Sequence, residues 1–160
     1  MRAMNPRNAM AASATLHCLT GCAIGEILGL MIGTAAGLSA GVTIALAVGL
    51  AFLFGYLLST VPLIQAGLGF FAALSLVFAA DTLSIATMEV TDNLVMWLIP
   101  GAMEAGLVEP IFWIGMIIAL TAAFLVAFPV NRYLIDRGKG HALTMQHHPD
   151  HHHEQHHEHH

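Results

Sequence analysis

Residues 111–130 read IFWIGMIIALTAAFLVAFPV, without one charged side chain. Spanning the hydrocarbon core of a bilayer as a helix takes about 20 such residues. Pro110, just ahead of the run, suits the first turn of a helix, where a missing N–H costs nothing. This stretch sets the class, and three more of similar character precede it. They cover about 14–36, 38–58 and 65–88, joined by the small residues 37–41 and by a break at Pro62. The reading is an all-α integral membrane protein, a four-transmembrane-helix bundle. Residues 89–109 are mixed and hold Pro100 and Gly101, so 94–99 reads as a short interfacial or re-entrant piece.

Composition agrees. The 160 residues are 57% hydrophobic and 9% charged, where soluble domains carry roughly a quarter charged residues. Five Lys and Arg in all are too few to grip nucleic acid. A cleaved signal peptide is not expected, since the first apolar run starts late, is long, and carries Glu26 in its middle.

The basic residues give an orientation. Arg2 and Arg7 precede the first span, Arg132, Arg137 and Lys139 follow the fourth, and none lies between. Both termini therefore belong in the cytoplasm, which requires an even number of spans. Trp97 and Trp113 then fall at the outer interface and Tyr56 and Tyr133 at the inner one. The chain divides into an N-terminal cytoplasmic segment 1–13, a transmembrane domain 14–141 and a cytoplasmic tail 142–160.

Gly21, Gly25, Gly29, Gly33, Gly37 and Gly41 recur at every fourth position, and Ala45 and Gly49 extend the series. Small residues at this spacing, a glycine zipper, let helix backbones approach closely in lipid. The stripe fits packing within one subunit, or a homo-oligomer seam on the Gly21, Gly25, Gly29 and Gly33 face.

Ionisable groups inside the spans need a reason, because each costs about 2.5–3.5 kcal/mol on insertion scales. Cys18, Cys22 and Glu26 form one stripe of the first helix, with His17 at its cytoplasmic end. Asp81, Met88 and Asp92 share a face of the third helix, flanked by Ser84 and Glu89. Cys18 and Cys22, one turn apart on one helix, are poorly placed for a disulfide and read as free thiols. Depths counted from the helix ends differ by about 6 Å between Glu26 and Asp81, which places these two carboxylates face to face near mid-bilayer. Both cannot readily ionise there without a cation or a proton. Thiolate, thioether and imidazole favour copper or zinc, and carboxylates accept divalent ions generally.

Blander roles compete for each residue. Buried Cys is often a small hydrophobe, Met88 a packing residue, Asp92 or Asp81 a helix cap, and Glu26 a protonated structural group.

The tail is unambiguous in composition. Residues 147–160 read HHPDHHHEQHHEHH, with nine His, three acids and one Pro. The residues His147, His148, His151, His152, His153, His156, His157, His159 and His160 offer many imidazoles interleaved with carboxylates. Interruptions by Pro149, Asp150, Glu154 and Glu158 set the run apart from an unbroken purification tag. Such a segment buries no core and is expected to be disordered. It would hold several divalent ions loosely, and His141 stands close enough in sequence to join them.

The run His17-Cys18-Leu19-Thr20-Gly21-Cys22 with Gly25-Glu26 resembles the first-helix signature of a bacterial membrane family called domain of unknown function 4396. Residues 81–93 (DTLSIATMEVTDN), the run Phe128-Pro129-Val130-Asn131-Arg132 and the run Gly138-Lys139-Gly140-His141 resemble its other blocks. The resemblance covers about residues 16–141 and leaves the His-rich tail outside. It implies a multi-pass protein of the bacterial inner (cell) membrane and adds no activity.

The expectation for function is transition-metal transport or handling, with copper or zinc as the ion. An intramembrane Cys/Glu/Asp/Met pathway would carry it, and the tail would serve as buffer or sensor. Two alternatives stand. One is a membrane partner for assembly of, or metal delivery to, a redox enzyme; a bis-His haem site fits poorly, since only His17 and His141 lie near the bundle. The other is a proton-coupled carrier using Glu26 and Asp81. No nucleophile motif, phosphate loop or zinc-protease motif points to an enzyme.

Overall fold

The computed structural model describes residues 5–137 and consists of four long helices. They are α1 (Pro6–Ala35), α2 (Ala40–Gln65), α3 (Phe70–Leu98) and α4 (Pro110–Asp136). Each is long and apolar enough to cross a membrane. Large apolar side chains such as Phe71, Trp97, Ile117 and Leu125 face outward. That is the reverse of a soluble bundle and the normal state of a lipid-facing surface.

The turns have local causes. Asn5 caps α1, its side chain accepting from the Arg7 N–H at 3.1 Å, and Pro6 takes the first helical position. Gly37 ends α1 with φ 65°, while the N–H groups of Leu38 and Gly37 donate to the carbonyls of Gly33 and Thr34. Gly67 (φ 101°) closes α2 in the same way, through Leu68 to Leu63 and Gly67 to Ile64. Ser39 caps α2 by accepting from the Val42 N–H.

Three boundaries differ from those expected. α1 starts at Pro6 rather than Ala14, so most of the proposed segment 1–13 is helix continuous with the span. Pro62 lies inside the last turns of α2 rather than in a break; its missing N–H costs one bond to the preceding turn, a loss that membrane helices tolerate. Residues 94–99 are not a separate piece, because α3 runs unbroken to Leu98. The polar side chains that suggested an exit from the bilayer, Glu89 and Asp92, are buried inside the bundle. Val90, Leu94, Trp97 and Leu98 keep the outer face apolar over the same turns. Asp92 is consequently an interior helix residue and caps nothing.

The glycine stripe zips α1 to α2 of the same chain. A Cβ at Gly21 would collide with Gly55, at Gly25 with Ala51, at Gly29 with Ala47 and at Gly33 with Thr43. Each step of four up α1 is a step of four down α2, so the two helices are antiparallel. This face is occupied by α2 and buried, which leaves it closed to a second copy. Gly41 and Gly49 meet nothing within 4 Å and do not belong to the seam.

α4 returns antiparallel to α1. Asn131 Nδ2 donates to Thr15 Oγ1 at 2.8 Å between them, and Arg7 pairs with Asp136 at 3.3 Å. Both ends of the described chain therefore lie at one end of the bundle, called here the terminal end. The 36–39 and 99–109 connections form the opposite, loop end. α1 and α3 run parallel through the centre.

Candidate functional site

The α1/α3 seam places the polar groups in three rungs. At the first, the Cys18 thiol donates to Asp81 Oδ2 at 3.5 Å and lies 3.5 Å from Ser59 Oγ of α2. At the second, Cys22 stands beside Glu89 without closing a hydrogen bond. At the third, Glu26 faces Asp92, with Glu89 also near. From the first rung to the third, eight residues up α1 correspond to eleven up α3, so the two helices run in the same direction along the seam.

The register corrects the expected pairing of Glu26 with Asp81. Asp81 sits at the height of Cys18, two turns below Glu26, roughly 12 Å along the axis at 1.5 Å per residue. Glu26 finds Asp92 instead. The depth count failed because α1 starts earlier than expected and α3 later, at Phe70 rather than near Gln65. Both displacements move the rungs in the same sense.

Burial is deep. Cys18 is fully buried, Glu89 and Asp92 are each 4% exposed, and Asp81 is 8% exposed. Ser84 and Met88, on the same face of α3, are also buried. Both Glu89 carboxylate oxygens, Asp92 Oδ1 and Ser84 Oγ have no hydrogen-bond partner among the described residues. No Lys or Arg occurs between Arg7 and Arg132. The four carboxylates Glu26, Asp81, Glu89 and Asp92 must therefore be balanced by protons or by a cation, since unpaired charge in such surroundings is costly.

Each end of the seam opens into a cavity. At the terminal end a space of about 180 Å³ is bordered by His17, Ser59, Asp81 and Asn131 among apolar neighbours. His17 Nδ1 lies 2.7 Å from the Ser13 carbonyl. A carbonyl only accepts, so Nδ1 carries the proton, and in the neutral ring Nε2 keeps its lone pair for a ligand. At the loop end a space of about 80 Å³ is bordered by Glu26, Asp92, Asn93, Met96, Met103 and Met116.

Of the residues singled out from sequence, Cys18, Cys22, Glu26, Asp81, Glu89 and Asp92 come together along the seam, with Met88 buried beside them. His17 borders the terminal cavity and is exposed. His141 and the tail histidines from His147 to His160 lie outside the described residues. Among the described residues, no three His, Cys, Asp or Glu side chains converge in a metal-binding group; the rungs are pairs. Sequence reasoning missed Ser59, Asn131, Met96, Met103 and Met116. Ser59 and Met103 come from elements with no polar stripe to flag them, and only packing brings them to the seam.

Four apolar spans around a polar seam define a multi-pass membrane protein. The family described as "Domain of unknown function (DUF4396)" matches residues 7–140, and the chain belongs to it. No curated protein and no solved structure matches the chain.

Proposed function

We propose that the protein conducts or hands on transition-metal ions across the membrane along the α1/α3 seam. One observation carries this reading: three rungs, Cys18/Asp81, Cys22/Glu89 and Glu26/Asp92, buried but for half-buried Glu26, lie between a cavity at one end of the bundle and a cavity at the other. Pairs rather than closed cages suit an ion that must leave as well as bind, because weak successive sites permit movement. Thiols and thioethers beside carboxylates suit copper or zinc. The distribution of Lys and Arg favours a cytoplasmic terminal end. The His-rich tail, cytoplasmic on the same distribution, would buffer or sense the ion.

Purified protein in liposomes tests the reading by uptake of Cu(I) and Zn(II). Glu26→Gln, Asp81→Asn and Glu89→Gln should each abolish flux while the protein stays inserted and helical. Flux retained in all three variants would make the carboxylates structural.

A proton-coupled carrier is the second reading, favoured by one contact. Glu26 and Asp92 face each other with Asp92 Oδ1 unpartnered, and two adjacent carboxylates hold a shared proton as readily as a metal. In this reading the partner of Glu26 is Asp92 rather than Asp81. Proton flux in metal-free liposomes that disappears in Glu26→Gln would favour it.

A further inference from the structure

The loop-end cavity carries chemistry that the three rungs do not use. Met96 (8% exposed) and Met116 (5% exposed) are buried at its border, and half-buried Met103 reaches it from the 99–109 connection. Methionine is flexible and ordinarily fills irregular gaps. Here three of them surround a space of about 80 Å³ and leave it open. Gly115 of α4 makes room for this arrangement, since a Cβ there would stand 3.0 Å from the Met96 sulfur.

The same cavity is bordered by Asp92, which is 4% exposed and whose Oδ1 has no partner among the described residues. An acceptor-only oxygen in apolar surroundings lacks a hydrogen donor or a cation. The remaining polar border is Glu26, Asn93 and Thr43. Neither His nor Cys is among the residues around it, so the donor set is poor in the ligands zinc takes. It is also short of the six or more oxygens that calcium collects. Three thioethers beside the Asp92 and Glu26 carboxyl groups match a soft ion of low charge better than a hard one.

We propose that the loop end holds a soft-cation site in which Met96, Met103, Met116 and the Asp92 carboxylate take one Cu(I)-class ion. The site deepens the metal-pathway reading and rests on it only for what happens next, the passing of the ion to Glu26 and the seam. Monovalent charge matters: one carboxylate neutralises the ion, and the thioethers need no deprotonation to bind.

The test uses full-length protein in detergent at pH 5.5, where tail imidazoles are largely protonated. Cys18→Ser/Cys22→Ser is the common background, so that thiols do not compete. Equilibrium dialysis with Ag(I), and Cu(I) competition against a colorimetric chelator, read binding. Adding Met96→Leu, Met103→Leu and Met116→Leu should remove about one Ag(I) equivalent and weaken Cu(I) at least about tenfold, while Zn(II) binding stays unchanged. Leucine keeps the volume, so the bundle should stay folded.

A second readout does not depend on that variant folding. Selenomethionine-labelled protein of the Cys-to-Ser background, with substoichiometric Cu(I), should show selenium neighbours at the copper absorption edge. Equal Ag(I) binding with and without the three methionines, or no selenium neighbour, overturns the site. Zn(II) displacing Ag(I) at equal concentration overturns its softness. Transport is a separate readout: Ag(I) bound through the methionines without any flux keeps the site and sinks the pathway. Flux that ignores the methionines, alongside equal Ag(I) binding, sinks the site and keeps the pathway.

Discussion

Gly25→Ala should destabilise the bundle, although alanine is the better helix former by about 1 kcal/mol. The added Cβ would fall on the Ala51 backbone and the Leu50 carbonyl carbon. Backbone atoms cannot swing aside as a side-chain tip can, so α1 and α2 must part. Carbon atoms pack at about 3.5–4.0 Å, and a gap of 0.5–1 Å forfeits a quarter to a half of each contact's attraction. The seam is four rungs long, from Gly21/Gly55 to Gly33/Thr43. If it holds about as many close atom pairs as one buried Leu, ~50 at 0.1–0.2 kcal/mol each, parting costs about 1–5 kcal/mol. Overpacking measured elsewhere, about 1–3 kcal/mol, falls in the same range. The net expectation is a loss of about 2 kcal/mol after the propensity gain. Gly49→Ala is the control, since nothing lies within 4 Å of it; it should be neutral or slightly stabilising. Loss of helicity during titration of SDS into mild-detergent micelles compares the two. Equal midpoints for Gly25→Ala and Gly49→Ala would refute the close α1/α2 seam.

Two further predictions bear on the ends of the chain. Reporter fusions after Lys139 and within residues 103–108 should read cytoplasmic and external respectively; an external signal after Lys139 would reverse the proposed orientation. Zinc held by the tail should be acid-labile, because imidazole binds metal only when neutral and titrates near pH 6.5. Full-length protein should lose several weak zinc equivalents between about pH 7.5 and 5.5, and protein lacking residues 147–160 should not show that loss. An unchanged zinc content across this range would exclude the imidazoles as the ligands.

The number of spans and their apolar character were legible in the chain, because a bilayer imposes one length and one polarity on every crossing helix. Glu26, Cys18 and Cys22 were recognisable as one stripe for the same reason: helical pitch alone decides which residues share a face. Which stripe meets which, and at what height, is a property of neighbours. Sequence counting put Glu26 opposite Asp81; the parallel register of α1 and α3 puts Asp81 on Cys18 and Asp92 on Glu26. The polar residues Glu89 and Asp92 looked like the end of a span until the fold turned them inward. The glycine stripe announced a close contact, but only the antiparallel return of α2 decided that its partner was Gly55, Ala51, Ala47 and Thr43 of the same chain. Local signals such as composition, caps and periodicity act within a few turns of one helix. Register and partner choice depend on side chains that meet across more than sixty residues of sequence, as Cys18 and Asp81 do, and only the packed bundle decides them.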